Sequence, residues 1–595
     1  MRPGPVSERV IHRFVRGTAW PRGVVWFGAR SFWGHVRHLV AAAIASDNID
    51  SRAWMTPDDP NLLRARILEV LDGDPAAPSL VEGLARDVYV DFVADTGDDV
   101  TVSRAVARLV FASYELPDPD RPGEFLTAPR GDVLFFGGDT AYPVATAREI
   151  LNRVIVPWNQ VLAENGDGSN PSDLGRRRVL LGIPGNHDWY DGLDGFARMF
   201  RRRDDDGEPP PPLRGQSSSP LVHHAEWARE FARGGTVDKP DALVLAGYTP
   251  VQSASHFALQ LAPNIELLAV DRQLTAIDPR QRSFMNATQE SHRGSAALVV
   301  LPDPVQPFGE PSRSGTAMLE TLRLQLTSPQ AFVLSGDIHH YERSQRGDAL
   351  HVIAGGGGAF LHPARVAKGG LTPTVSWPGV AQSRALLRDV PWKLACGRSG
   401  FLPHFCLLLL YAPPVLFGEW LLAHVSVSLW ALIGTTLGLA VGFSLLGGFP
   451  RRKSVAPLAL AGAVAVALMP AGASLLAGAV RAHVPHGVPA FTAMVVSILA
   501  LAAAIFGGAL AFGVLLTLFT LLGYDHLHAL TALDHPGFKH FVRLRVRADG
   551  SGIDGWCIGA ADPLRAGARP ELVDHFVWRP FSRSSSPLPP SEAAQ

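Results

Sequence analysis

Four apolar stretches in the last third of the chain constrain its fold most strongly. They run over about 404–424, 427–448, 455–480 and 490–522, and Glu419 is the only formally charged residue inside them. A helix needs about 20 apolar residues to cross the hydrocarbon core of a bilayer, and each stretch supplies them. Residues before about 385 carry most of the charge. The chain therefore divides into a soluble part and a transmembrane part of about four helices. Arg451, Arg452 and Lys453 separate the second and third stretches, Arg543, Arg545 and Arg547 follow the fourth, and Lys393 and Arg398 precede the first. The loop after the third holds only Arg481. By the positive-inside rule both termini and the soluble domain face the cytoplasm of a multi-pass protein of the cell membrane. Pro413, Pro414 and Pro470 predict kinks, and Gly507-Gly508 a broken or tilted fourth helix. No row of ionisable residues marks an ion path, so the spans read as an anchor rather than a transporter.

Composition narrows the function. Fifty-four Lys+Arg balance 55 Asp+Glu, which disfavours a nucleic-acid binder. Cys396, Cys406 and Cys557 are the only cysteines and none has CxxC spacing. That fits a reducing compartment and excludes a cysteine-ligated zinc site. Leu39–Ala45 starts too far from the N-terminus for a signal peptide and reads as part of an amphipathic helix.

Between about 86 and 360, buried-type strands alternate with helical stretches, and four of them end in polar turns. Val88–Val93 leads into Asp95, and Val133–Phe136 into Gly138-Asp139. Val179–Ile183 leads into Gly185-Asn186-His187-Asp188, and Ala331–Leu334 into Gly336-Asp337-Ile338-His339. Ligands of α/β sheets gather at such strand ends. Carboxylates, imidazoles and an amide oxygen suit Mn, Fe or Zn. Two such ions neutralise phosphoryl charge and supply hydroxide at neutral pH, as phosphate-ester hydrolysis requires. Asp139 could bridge the pair, His187 protonate the leaving alkoxide, and Asp188 orient His187.

Asp95-Thr96-Gly97, Gly138-Asp139-Thr140-Ala141-Tyr142, Gly185-Asn186-His187-Asp188 and Gly336-Asp337-Ile338-His339 together resemble the calcineurin-like metallophosphoesterase superfamily, closest in flavour to purple acid phosphatases. The resemblance covers about residues 88 to 360. It implies a two-sheet α/β sandwich and a dinuclear centre of divalent or mixed-valence Fe, Mn or Zn ions. One metal would be held by Asp95, Asp139, Tyr142 and His339, with Tyr142 replacing the histidine absent at Gly97. Alternatively Tyr142 packs beside the site, or Asp98 or Asp99 fills the gap. The second metal would take Asn186 and Asp337, the latter in place of a family histidine. The strand Leu298–Leu301 runs into Pro302-Asp303-Pro304 without the family's fourth-motif histidine, and Asp303 is the possible substitute. His223, His224, His256 and His292 read as surface or packing residues. His340 is expected to face outward, Arg343 either clamps phosphate or forms a structural ion pair, and Gly355–Gly358 resembles the superfamily's glycine-rich turn.

The resulting layout is an N-terminal helical region (1–85), a catalytic domain (86–375), a juxtamembrane linker (376–403), the transmembrane region (404–524), a small C-terminal element (525–578) and a disordered tail (579–595). Residues 201–219 read as an exposed insertion. Phe538–Arg547 alternates as a strand does, with Trp556–Gly559 as its partner. The expected function is hydrolysis of phosphate mono- or diesters, and the anchor suggests a substrate at the membrane, such as a lipid headgroup phosphate. The rival is a catalytically degenerate fold acting as a membrane-bound sensor or scaffold, suggested by the departures at Gly97, Asp337 and Pro302.

Overall fold

The computed structural model describes residues 26–27, 56–166, 176–203, 242–273, 277–291, 294–323, 327–367, 372–416, 423–449, 451–482, 490–533, 535–565 and 567–581. Most of the N-terminal region, nearly all of the 201–219 insertion, His223, His224, His292 and the tail after 581 lie outside them.

Sixteen strands are described. The first sheet contains β1 (Val88–Val93), β4 (Val133–Phe136), β5 (Arg178–Gly182), β6 (Tyr248–Pro250), β14 (Lys539–Val546), β15 (Ile553–Ala560) and β16 (Glu571–Trp578). Their order is β16-β15-β14-β1-β4-β5-β6. The second contains β7 (Phe257–Ala262), β8 (Ile265–Ala269), β9 (Ala296–Leu301), β10 (Ala331–Ser335), β11 (Tyr341–Arg346), β12 (Ala349–Ala354) and β13 (Val375–Trp377). Their order is β13-β11-β12-β10-β9-β8-β7. A small ribbon joins β2 (Tyr114–Pro117) to β3 (Phe125–Ala128). β1, β4, β5 and β6 run parallel, as do β8, β9, β10 and β12. Every residue of β1, β4, β5, β10 and β12 is buried. Such apolar runs form parallel strands because both faces of the sheet are covered.

One face of each sheet meets the other in a shared core that includes Phe92, Phe135 and Leu181 from the first and Leu267, Leu298 and Phe332 from the second. Val106, Val110 and Trp158 cover the outer face of the first sheet, and Met285 and Met318 that of the second. The helix Pro60–Val70 buries Leu63, Ile67 and Leu68 in the shared core.

The segment set apart in the sequence as a small C-terminal element is part of the first sheet. β14 pairs antiparallel with β1, with Asp91 opposite Arg543, and β15 and β16 extend it to the edge. Arg543 and Asp91 are fully buried and joined at 2.6 and 3.0 Å, and the guanidinium also donates to the carbonyls of Val110, Ala112 and Ala128. The apolar helices are thus an excursion between strands of one α/β domain.

Among the described residues, three helices are long and apolar enough to cross a membrane: Val425–Leu446, Lys453–Leu475 and Met494–Leu522. Val425–Leu446 has no buried residue, so its apolar surface is left for lipid. The first expected span appears as Leu402–Leu416, at 15 residues shorter than a bilayer requires, with 417–422 outside the described residues. It packs by Tyr411, whose hydroxyl donates to the Val466 carbonyl at 2.5 Å. The Gly507-Gly508 pair sits within one continuous helix, Ala490–Leu522, and a side chain at Gly508 would meet the Tyr411 ring. The expected linker is folded instead: Val380–Leu387 and Val390–Ala395 are helices whose Leu387, Val390 and Leu394 pack with Leu516 of the last long helix.

Candidate metal centre

The parallel strands of both sheets direct their C-terminal ends at one place. Asp95 follows β1, Asp139 follows β4, Asn186 and His187 follow β5, and Asp337 and His339 follow β10. Asp95, Asp139 and Asp337 all adopt left-handed backbone, with φ of 60°, 49° and 65°. Each such residue costs on the order of 1 kcal/mol, and clustered strain of this kind marks functional sites.

Tyr142 lies among them, 1% exposed. Its hydroxyl is 2.9 Å from Asp95 Oδ1, 3.3 Å from Asp139 Oδ2 and 3.1 Å from His339 Nε2. Gly97 explains why a tyrosine arrives here and no histidine stands in the first motif. Its φ is 62°, a Cβ there would lie 2.6 Å from the Thr140 carbonyl oxygen, and its own carbonyl accepts the Tyr142 N–H. Gly185 is required for the same kind of reason, because a Cβ would collide with Asp139 Oδ1. The Asp139 Oδ1 accepts the His187 N–H at 2.9 Å, and Asp95 Oδ2 accepts the Asp337 N–H at 2.9 Å. His339 Nδ1 donates to the Phe360 carbonyl at 2.7 Å, which presents Nε2 as the lone-pair nitrogen.

The rest of the site is more open. Asn186 Nδ2 donates to the Tyr190 hydroxyl at 3.1 Å, leaving its amide oxygen as an acceptor. Asp303, the suggested substitute for the fourth-motif histidine, is buried at the end of β9. Its Oδ2 pairs with Arg272 and accepts from Ser314 at 2.7 Å, while Oδ1 has no hydrogen-bond partner among the described residues. Sequence reading missed Arg272, although Ile265–Ala269 is a strand that runs on through Val270-Asp271 to it. It also missed Lys539, fully buried on β14 with its amine on the Ala359 carbonyl. Trp26 was missed as well. It stands edge-on to Tyr142 and His187, each at 5.9 Å.

Several expected roles change. His187 Nδ1 bonds the Pro143 carbonyl at 2.7 Å, whereas the Asp188 carboxylate accepts the backbone N–H groups of Gly185 and Thr140. Orientation of the imidazole thus falls to a carbonyl, and Asp188 builds the turn. His340 does not face outward: it is fully buried between Glu342 and Phe308. Arg343 is a structural ion pair with Asp574 at 2.6 Å. Asp99 caps the helix Val100–Val110 through the N–H groups of Thr101 and Val102. His256 is buried against Phe284.

The electrostatics follow from packing carboxylates together without water. Burial pushes Asp95 up to about 8 against the pull of Tyr142 and the Asp337 amide. Burial, Asp95 and Asp188 hold Asp139 well above the usual carboxylate range. Burial, then Asp303, Asp95 and Asp139, do the same to Asp337. Burial and the two neighbouring carboxylates keep Tyr142 protonated, and burial lowers His339 to about 3, so its imidazole is neutral. A crowd of carboxylates with a neutral imidazole and an amide oxygen is by chemistry a set for hard or borderline cations. Among the described residues, no group of three or more His, Cys, Asp or Glu is placed to hold an ion. Asp95, Asp139 and His339 close on the Tyr142 hydroxyl instead.

No protein-family model and no curated protein matches the chain. Among solved structures, GAP50, described as the anchor in the inner membrane complex of Plasmodium, overlaps 49% of this chain and 77% of its own, at 10% identity and a TM-score of 0.28. A structure of PhoD overlaps 46% of this chain and 58% of its own, at 10% identity and a TM-score of 0.25. Overlaps this weak carry no weight for fold or activity.

Proposed function

We propose that this protein is a membrane-anchored metallophosphoesterase, its active domain built as a two-sheet α/β sandwich. The observation that carries the reading is the convergence of Asp95, Asp139 and His339 on one buried tyrosine hydroxyl, with the Asp337 N–H bonded to Asp95. Asp95, Asp139, Tyr142 and His339 would hold one metal ion. Asp139, Asn186 and Asp337 would hold a second, with Asp303 behind them. A bound pair of Fe, Mn or Zn ions supplies phosphoryl charge neutralisation and hydroxide at neutral pH. The chain's own residues then bind and move protons. Arg272 offers its guanidinium to a phosphoryl oxygen at the Asp303 side. His187 would donate its Nδ1–H to the Pro143 carbonyl and, as an imidazolium, carry a second proton on Nε2, from which the leaving alkoxide takes it. The basic loop at Arg451–Lys453 supports a cytoplasmic domain by the positive-inside rule, and pairing of Arg452 with Glu310 is consistent with the domain and that loop sharing a side.

A sensor or scaffold is the second reading, favoured by the absence of a ready set of three metal-holding side chains among the described residues. Metal content of the detergent-purified protein, with hydrolysis of an aryl phosphate and an aryl phosphodiester, separates the two. The enzyme reading expects about two metals per chain, and Asp139→Asn to lower turnover by about a thousandfold or more. No hydrolysis with Mn, Zn or Fe would leave the sensor.

A further inference from the structure

The candidate site is joined to the membrane helices through its own walls, and this bears on the substrate. The loop after β12 serves both. Its Phe360 carbonyl holds His339 Nδ1, and His362 Nδ1 accepts the His339 N–H at 3.0 Å. Between and after those residues, Leu361 and Val366 bury themselves with Leu516 of the last long helix. Against the same loop, 5.1 Å from the Phe360 ring, Trp26 covers Tyr142 and His187, while the carbonyl of its neighbour Phe27 accepts the N–H of Leu402, the first residue of an apolar helix. A tether would have sufficed to keep a soluble enzyme near a membrane. Among the described residues, no free linker separates the two parts.

Another wall carries charge. Phe308 stacks on His526 at 4.8 Å, four residues beyond the end of the last long helix at Leu522. Four residues span roughly 6 to 13 Å. The interfacial layer of one leaflet is roughly 5 to 8 Å thick, a comparable distance, so the Phe308–His526 contact lies close to the end of an apolar helix, where headgroups would meet it. Arg365 donates to the Phe308 carbonyl at 2.6 Å and to Glu310 at 3.0 Å, and Arg452, from the loop after the first long helix, pairs with the same Glu310. His526 is 9% exposed, yet neither of its ring nitrogens, nor Arg365 Nε, has a hydrogen-bond partner among the described residues. An imidazole and a guanidinium N–H that are buried without partners, beside the half-buried Arg452, are groups that an anionic headgroup can satisfy.

We infer that the substrate is an amphiphilic phosphoester of the bilayer, whose phosphate enters from the headgroup plane while its acyl chains stay in lipid. This rests on the phosphoesterase reading and names its substrate class. The same phosphate chemistry could come from a water-soluble ester, and the test separates the sources. Full-length protein in mixed micelles is given dioleoylphosphatidic acid or dioleoylphosphatidylglycerol, and in parallel glycerol 3-phosphate, glycerophosphoglycerol and an aryl phosphate and phosphodiester. One lipid is expected to be turned over about a hundredfold more efficiently than its chain-free counterpart, since buried methylenes hold it at the surface. Its rate should fall on surface dilution with inert detergent at constant bulk concentration. In Arg365→Ala and Arg452→Ala, the ratio of lipid to aryl-ester turnover should drop about tenfold. Hydrolysis of chain-free esters at rates equal to the lipids, indifferent to surface dilution, overturns the inference and leaves the phosphoesterase standing. Hydrolysis of no ester at all removes both.

Discussion

The two sheets approach the site alike and equip it differently. Each presents three adjacent parallel strands, β1, β4 and β5 in the first and β8, β9 and β10 in the second. The first delivers Asp95, Asp139 with Tyr142, and Asn186 with His187. The second delivers Arg272, Asp303, and Asp337 with His339. A carboxylate of the second sheet already has a cation, since Asp303 is paired with Arg272. Those of the first have the buried Lys539 nearby and a hydroxyl between them. Similar geometry therefore leaves the first half with two carboxylates crowded on one hydroxyl and the second with a carboxylate already matched by a guanidinium.

The largest expected effect concerns how the first half is held. β1 carries Asp95 and is clamped to β14 by the Arg543–Asp91 pair, both ends fully buried. Removing one partner of such a pair leaves a buried charge, typically a loss of about 3–5 kcal/mol. Arg543→Met should lower the denaturation midpoint accordingly, and pairing it with Asp91→Leu should recover much of the loss. A single variant that unfolds like the wild type would mean that the first half does not depend on its C-terminal strands.

A second test uses the excess of negative charge. Asp95 is raised to about 8 and Asp139 and Asp337 are raised too. In the metal-free protein the folded state therefore binds protons more tightly than the unfolded chain. The sign follows: stability is fully present below the ordinary carboxylate range, near pH 4, and is lost as pH rises through about 8. The slope is at most about 1.4 kcal/mol per pH unit for each group. Thermal unfolding of chelator-treated protein between pH 5 and 9 should show this decline, flattened in Asp95→Asn. Added Mn or Zn should stabilise increasingly over the same range, because metal displaces those protons. A metal-free protein whose unfolding temperature is level from pH 5 to 9 would refute the crowding of the first half.

How much of this was legible in the sequence differs between the halves for a physical reason. Asp95, Asp139, Asn186, His187, Asp337 and His339 each follow a short, mostly apolar run by a few residues, so strand and ligand announce each other. Arg272 follows a strand as short as the rest, but an arginine at a strand end resembles any solvated turn residue until its carboxylate partner, 31 positions away, is seen. Long-range pairing also hid the C-terminal strands: their alternation predicted a hairpin, yet nothing local says that β14 crosses some 450 residues to lie against β1. Asp188 was misread because a charged group beside a motif looks chemical, whereas here backbone amides take it up, and of the two roles open to Arg343 the structure shows the ion pair with Asp574.

The smallest expected effect tests the second half directly. Arg272 is held against Asp303, so a lysine there would keep the charge while losing the planar fork that can bind Asp303 and a phosphoryl oxygen together. If its role is to receive the anion, Arg272→Lys should raise KM by about tenfold, near 1.4 kcal/mol, with kcat and metal content little changed. If Arg272 serves only to neutralise Asp303 beside the metals, lysine should do nearly as well, and Arg272→Ala should alter metal content before it alters KM. The pattern of KM against metal content therefore shows whether the second sheet meets the substrate or merely balances the charge of the first.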